Sequence, residues 1–313
     1  MAKCHVCFRH CEIEKGQLGF CGARMVTGVP PESARAVGAA ANQSPTVANQ
    51  AGSAPDRVAA ANYGLITALA LDPIEKKPLR NFHPGSMILS VGSYGCNLRC
   101  PFCQNNSISW SEEALQPLRR NVQKVTPEEL ARAAEHCKSR GNIGIAFTYN
   151  EPLVGYEFVR DTAKLVHEMR MKNVMVTNGT AEREVLEELL PWIDAMNIDL
   201  KGFDPAWYRK IGGDLEQTMG FIELAAKHCH VELTTLIIPG ENDSDEMMEE
   251  QVNWIAGLTD KDGNIIGRGI PLHISRFFPQ FHMTDRPPTD VRRIYELTDI
   301  AAQKLDHVYP GNC

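Results

Sequence analysis

One stretch constrains this chain more than any other: Ser93-Tyr94-Gly95-Cys96-Asn97-Leu98-Arg99-Cys100-Pro101-Phe102-Cys103-Gln104-Asn105. It places three cysteines in the spacing C-x3-C-x2-C. Three thiolates on a short loop suit three irons of a 4Fe–4S cage, one sulfur to each iron, and the loop has no fourth cysteine to close it. The remaining iron is open to an outside ligand, which is a property of a reactive cluster more than of an electron carrier. Zinc is the competing reading, but a zinc site uses four ligands, usually as two close pairs. The apolar run Met87-Ile88-Leu89-Ser90-Val91 precedes the loop and reads as a buried strand.

Cysteine usage extends the argument. The chain has 10 cysteines, a formal net charge of −7, and no apolar N-terminal leader in Met1-Ala2-Lys3-Cys4-His5. No apolar run approaches the roughly 18 residues of a membrane span. These features predict a cytoplasmic protein, where cysteines are metal ligands before they are disulfides. Cys4, Cys7, Cys11 and Cys21 form a second cluster interleaved with His5 and His10. Four thiolates here can wrap a structural zinc or a second iron–sulfur cluster, and the spacing leaves both open. Cys137 and Cys229 lie in helix-like segments and read as inert core thiols. The acidic charge and the lack of a basic-aromatic patch count against a zinc-knot nucleic-acid binder.

Three regions follow. Residues 1–27 form a Cys-rich metal-binding module. Residues 28–61, rich in Ala, Pro, Ser, Asn and Gln, read as a low-complexity linker or surface loop. Residues 62–313 hold the main domain and its lead-in. There, short apolar runs at 87–91, 143–148, 174–177, 196–200, 231–238 and 271–275 alternate with helix-length segments such as 155–171, 181–191, 244–257 and 288–305. A run at 65–71 precedes them. Thr126-Pro127-Glu128-Glu129 reads as a helix start with a capping box. Strand–helix alternation implies parallel strands. Six units predict an α/β fold, a partial (β/α)6 TIM-like barrel, and no G-x-G-x-x-G supports a dinucleotide fold.

In such barrels chemistry sits at the C-terminal strand ends. The cluster loop, Thr148-Tyr149-Asn150-Glu151-Pro152, Thr177-Asn178-Gly179-Thr180, the Asp199/Lys201 pair, Pro239-Gly240-Glu241-Asn242-Asp243 and His273 with Ser275-Arg276 fall there in order. Lys76 and Lys77, near the loop, read either as an attraction for an anionic substrate or as a solvated charged turn. Taken together these features predict one site.

The cluster loop, with an aromatic before its last cysteine, carries the signature of the radical S-adenosylmethionine (SAM) enzymes. With Asp72-Pro73-Ile74-Glu75-Lys76-Lys77-Pro78-Leu79, Thr148-Tyr149-Asn150-Glu151-Pro152, Thr177-Asn178-Gly179, Asn197-Ile198-Asp199-Leu200-Lys201-Gly202-Phe203 and Ser275-Arg276-Phe277-Phe278-Pro279, the chain resembles the AmmeMemoRadiSam-system radical SAM enzymes, relatives of the pyruvate formate-lyase activating enzymes. The resemblance implies reductive cleavage of SAM at a 4Fe–4S cluster held by Cys96, Cys100 and Cys103. The resulting 5′-deoxyadenosyl radical takes hydrogen from a protein, peptide or small-molecule substrate. It further implies an external one-electron donor of flavodoxin or ferredoxin type, and SAM contacts from Phe102, Asn150, Glu151, Thr177, Asn178, Asp199, Lys201 and His273. Residues 104–136 carry no further cysteines, unlike many activating enzymes, which points away from direct glycyl-radical activation. The rival reading is a non-catalytic iron–sulfur electron-transfer protein with two metal centres.

Overall fold

A computed structural model describes residues 1–27, 57–110 and 122–313. The stretch 28–56 of the expected linker lies outside the described residues.

The N-terminal residues form short strands: β1 (Ala2–Lys3), β2 (Glu12–Ile13), β3 (Arg24–Thr27) and β4 (Arg57–Ala60). β1 pairs antiparallel with β2, and β3 with β4. Residues 57–60 therefore leave the expected linker and belong to the N-terminal module. Composition hid them because Ala59 and Ala60 bury little surface, while the ladder to β3 uses only backbone groups. Two short strands, β5 (Leu65–Ile66) and β8 (Gln123–Lys124), pair with each other, so the expected 65–71 strand is broken at Thr67.

The main sheet comprises β6 (Ala68–Pro73), β7 (Met87–Gly92), β9 (Asn142–Phe147), β10 (Lys172–Thr177), β11 (Ala195–Asp199), β12 (His230–Ile237), β13 (Leu272–Arg276) and β14 (Val308–Gly311). Its order is β14-β13-β12-β11-β10-β9-β7-β6. The six predicted strands lie side by side in chain order and parallel. β14 extends the row in parallel, and β6 closes the other side antiparallel to β7. β6 and β14 are the two edges, so the barrel is open.

Helices α2 (Pro127–His136), α3 (Tyr156–Glu168), α4 (Arg183–Leu189), α6 (Leu215–Ala226), α7 (Asp245–Ala256) and α8 (Val291–Ala302) cover the outer face, while the short α1 (Asn106–Ser109) and α5 (Pro205–Lys210) lie against the cysteine loop. The capping box at Thr126 forms as read: its hydroxyl accepts from the Glu129 N–H, and Glu129 accepts from the Thr126 N–H. α5 and α6 start on Asp204 and Asp214 caps, a signal the alternation count passed over.

Two of the three hydrophobic clusters among the described residues separate the layers. The larger packs strand residues such as Leu89, Phe147, Met175, Met196 and Leu233 against the helices. The smaller joins Ile88, Ala146, Val174 and Ala195 to Ile74 and Leu79 of the β6–β7 connection. That connection enters β7 at its N-terminal end, so it plugs the end of the barrel opposite the cluster loop.

Candidate active site

The three-cysteine loop leaves β7 at Gly92 and is held from several sides. Asn150 shapes its start: its side-chain oxygen accepts from the Ser93 N–H at 2.9 Å, and its amide donates to the Tyr94 and Gly95 carbonyls at 3.1 Å each. Gly95 has φ +93°, and a Cβ there would meet the Cys21 carbonyl oxygen at 2.7 Å. The Cys96 N–H donates to that same carbonyl at 3.2 Å. Further along, the Arg99 N–H donates to Ile211, and Phe102 stacks on Trp207 with ring centroids 6.0 Å apart. Cys100 is buried; Cys96 and Cys103 are half-buried.

Beside the loop lies Glu151, 3% exposed. One of its oxygens accepts from the Thr177 hydroxyl at 2.7 Å and the Leu153 N–H at 3.0 Å. The other accepts from the Asn178 N–H at 2.8 Å. Burial pushes its carboxyl up to about 7; these three hydrogen bonds pull the other way, and the nearby Asp199 adds to the rise. A buried carboxylate in this state favours a cationic partner.

Asn178 connects the carboxylate to the loop. Its amide donates to the Asn97 side chain at 2.9 Å and approaches the Cys96 sulfur at 3.7 Å. Thr180 completes the network, donating to Asn178 at 2.6 Å and accepting from Asn97 at 2.8 Å. At the end of β11, Lys201 Nζ pairs with Asp199 at 2.8 Å. Burial works against the Lys201 charge, but Asp199 and the Cys100 sulfur outweigh it and hold the ammonium protonated. Burial likewise lifts the Cys100 thiol, to about 11, with Lys201 opposing.

Thus Cys96, Cys100, Cys103, Glu151, Thr177, Asn178, Asp199 and Lys201 come together. Three other expected residues have these contacts. The Asn150 amide is spent on loop backbone, because a loop without regular structure must satisfy its carbonyls by side chains. Phe102 is 5% exposed and packs in the core. His273 faces Glu232, its Nε2 2.6 Å from the carboxylate. Glu232 also accepts from the Arg80 and Asn81 N–H groups of the barrel plug at 2.9 and 2.7 Å, so His273 is tied to the plugged end. Lys77 is neither a solvated turn nor an open anion site: it is 3% exposed and bonds Asp72 at 2.8 Å, where Tyr149 also donates. Tyr149 has φ +72°, a strained value for a tyrosine. Sequence reasoning missed Asn97 and Glu232; a carboxylate inside the apolar run Val231-Glu232-Leu233 is the signal that pointed to the second.

Among the described residues, no three or more His, Cys, Asp or Glu side chains draw together closely enough to hold a single metal ion. A four-iron cage asks for something looser, since each thiolate binds a different iron. Three free cysteines on one pinned loop match that donor set.

An open parallel α/β barrel with a three-cysteine loop at its C-terminal edge defines a class of cluster-bearing barrel enzymes. The chain belongs to the radical SAM superfamily: the profile of that family matches residues 90–252. An uncharacterized protein of Methanocaldococcus jannaschii is 36% identical over 99% of this chain and 81% of its own length. A pyruvate formate-lyase-activating enzyme of Clostridium pasteurianum is 27% identical over 52% of this chain and 67% of its own. The structure of Streptococcus suis SuiB bound to S-adenosylmethionine shares the fold, with a TM-score of 0.52 and 15% identity over 70% of this chain and 48% of SuiB. The chain is a radical SAM enzyme, and its family uses a 4Fe–4S cluster and SAM. None of its described helices is long and apolar enough to cross a membrane.

Proposed function

We propose that this chain is a radical SAM enzyme of the AmmeMemoRadiSam system, related to the pyruvate formate-lyase activating enzymes, in which Cys96, Cys100 and Cys103 hold the cluster. When bound, cluster and SAM supply one-electron cleavage of the sulfonium and a 5′-deoxyadenosyl radical that takes hydrogen from substrate. The residues of this chain bind, orient and exclude water. Glu151 receives the SAM ammonium: it is the carboxylate beside the cysteine loop, desolvated and aimed by Thr177, Asn178 and Leu153. Asn178 and the Asp199/Lys201 pair hold the rest of SAM. The open barrel admits the substrate, and a flavodoxin- or ferredoxin-type donor brings the electron.

The observation that carries this reading is the Glu151–Asn178–Cys96 connection, in which one residue gives its backbone N–H to the buried carboxylate and turns its side-chain amide to the Cys96 sulfur. After anaerobic reconstitution with iron and sulfide, the reduced protein is expected to release 5′-deoxyadenosine from SAM. Cys100→Ala is expected to abolish it. Glu151→Gln is expected to keep its iron but to lose the SAM-induced change in the cluster spectrum. Wild-type behaviour in both variants would overturn the assignment.

A further inference from the structure

Cys4, Cys7, Cys11 and Cys21 border one cavity, which Arg9 and Asn97 also line. All four are free thiols, three of them buried. The Cys4 N–H donates to the Cys11 carbonyl at 2.8 Å, drawing the two ends of the cysteine turn together. In the cluster loop the Leu98 N–H donates to the Cys96 sulfur at 3.4 Å, from two residues on. Such N–H···S contacts are the outer support of metal-bound thiolates.

The two cysteine groups are adjacent. The Cys21 carbonyl accepts the Cys96 N–H at 3.2 Å. Asn97 lines the same cavity as the four cysteines and accepts from Asn178 at 2.9 Å, and Asn178 reaches Cys96 at 3.7 Å. Asn97 thus lies between the two cysteine groups. Arg9 and Arg99 sit on the ring of Phe20 at 3.6 and 3.9 Å, cations beside both thiolate groups. Phe20 is 39% exposed and Cys11 half-buried, so the module faces solvent on its outer side.

We propose that the N-terminal module holds a second iron–sulfur cluster on Cys4, Cys7, Cys11 and Cys21, and that this cluster is the electron entry to the reactive one. Its relay role rests on the function proposed above; its existence does not. Four free cysteines supply one thiolate to each iron of such a cage. Zinc is redox-inert and would make no use of a place beside the Cys96 loop. In the step, a flavodoxin- or ferredoxin-type protein is oxidised by one electron and the second cluster is reduced by one. That electron then passes to the cluster at Cys96–Cys103, and no atoms are transferred.

Metal content tests the site first. The full-length wild type, reconstituted anaerobically, is expected to carry about eight irons and eight sulfides, from two four-iron cages. About four irons with one zinc, or with no second metal, would overturn the proposal. The chain with Cys96, Cys100 and Cys103 all changed to Ser is expected to keep about four irons and a paramagnetic signal on reduction that SAM leaves unchanged. Loss of all iron from that folded variant would also overturn it. Cys7→Ser with Cys21→Ser tests the relay. This variant is expected to keep the SAM-sensitive cluster and its reduction by dithionite, but to lose reduction by the protein donor. Equal reduction by the donor would overturn the relay. If instead wild type keeps its iron but forms no 5′-deoxyadenosine, the proposed function fails while the second cluster stands.

Discussion

Glu232 is the residue with most at stake outside the site. It is fully buried, yet two histidines and two backbone N–H groups surround it. Burial raises its carboxyl, but the bonds from His230, His273, Arg80 and Asn81 outweigh that and lower it to about 2. A carboxylate held below its unfolded value lends stability above that value, and the stability drains away as pH falls through the folded one. Unfolding free energy is therefore expected to fall between about pH 4.5 and 2 in the wild type, from the ordinary carboxylate value downward. Glu232→Gln is expected to cost about 1–3 kcal/mol at neutral pH, because an amide cannot accept from all four surrounding groups and leaves a buried donor unmet. It should also flatten the acid slope. Urea titrations of both proteins across that range check both expectations, and an unchanged slope would remove Glu232 from the account. The residue-scale reading of the sequence caught Glu151 because Asn-Glu-Pro stands at a strand end. It missed Asn97, whose partners Thr180 and Asn178 are more than 80 positions away and follow no local pattern.

Among the elements, the parallel strands were the most legible. Buried parallel strands are short continuous apolar runs, and each of the six predicted runs begins within two residues of an observed strand, though β10 extends to Lys172. The α5–α6 pair and β14 were not anticipated: six-residue α5 is too short for a periodic stripe, and four-residue β14 (Val308–Gly311) ends in a Pro-Gly pair that hides a strand. At this scale a backbone contact limits substitution. A Cβ on Gly144 of β9 would lie 1.8 Å from the Lys172 carbonyl oxygen of β10. Real Cβ atoms never come so close, and both partners are backbone, so two neighbouring strands would have to separate. Gly144→Ala is expected to be insoluble or to melt far below wild type. Loss of the Thr126 cap, by contrast, costs only about 1 kcal/mol. A melting temperature near wild type for Gly144→Ala would show that the β9–β10 ladder shifts freely.

Across the whole molecule, the question is what holds the N-terminal module on the barrel. A buried ion pair does much of it: Arg24 of β3 meets Glu157 of α3 at 2.6 Å, with both residues buried. Arg9 adds bonds to the carbonyls of Asn97, at 2.7 Å, and Gly212, and the Glu182 N–H donates to Val6 at 2.9 Å. Removing one partner of a buried pair leaves the other charge uncompensated, at roughly 3–5 kcal/mol. Arg24→Ala is expected to speed hydrogen exchange in residues 1–27 and 57–61 before the parallel sheet opens. Uniform exchange across the chain would mean that the module and barrel unfold as one unit.

The sequence by itself determined the class of fold, the strand row and the three-cysteine loop, because apolar periodicity and thiolate spacing are local properties. It also named most of the residues that gather at the candidate site, since parallel strands deliver their ends to one rim. Only the tertiary structure decided which polar residues share that rim. His273 stands at a strand position of the right kind but bonds a carboxylate held by the barrel plug, and Lys77 turns inward to Asp72. Contacts of that sort depend on strand tilt, on the plug and on what each buried charge can find as a partner. The placement of the N-terminal cysteines against the cluster loop belongs to the same category, since nothing local in residues 1–27 specifies what they pack against.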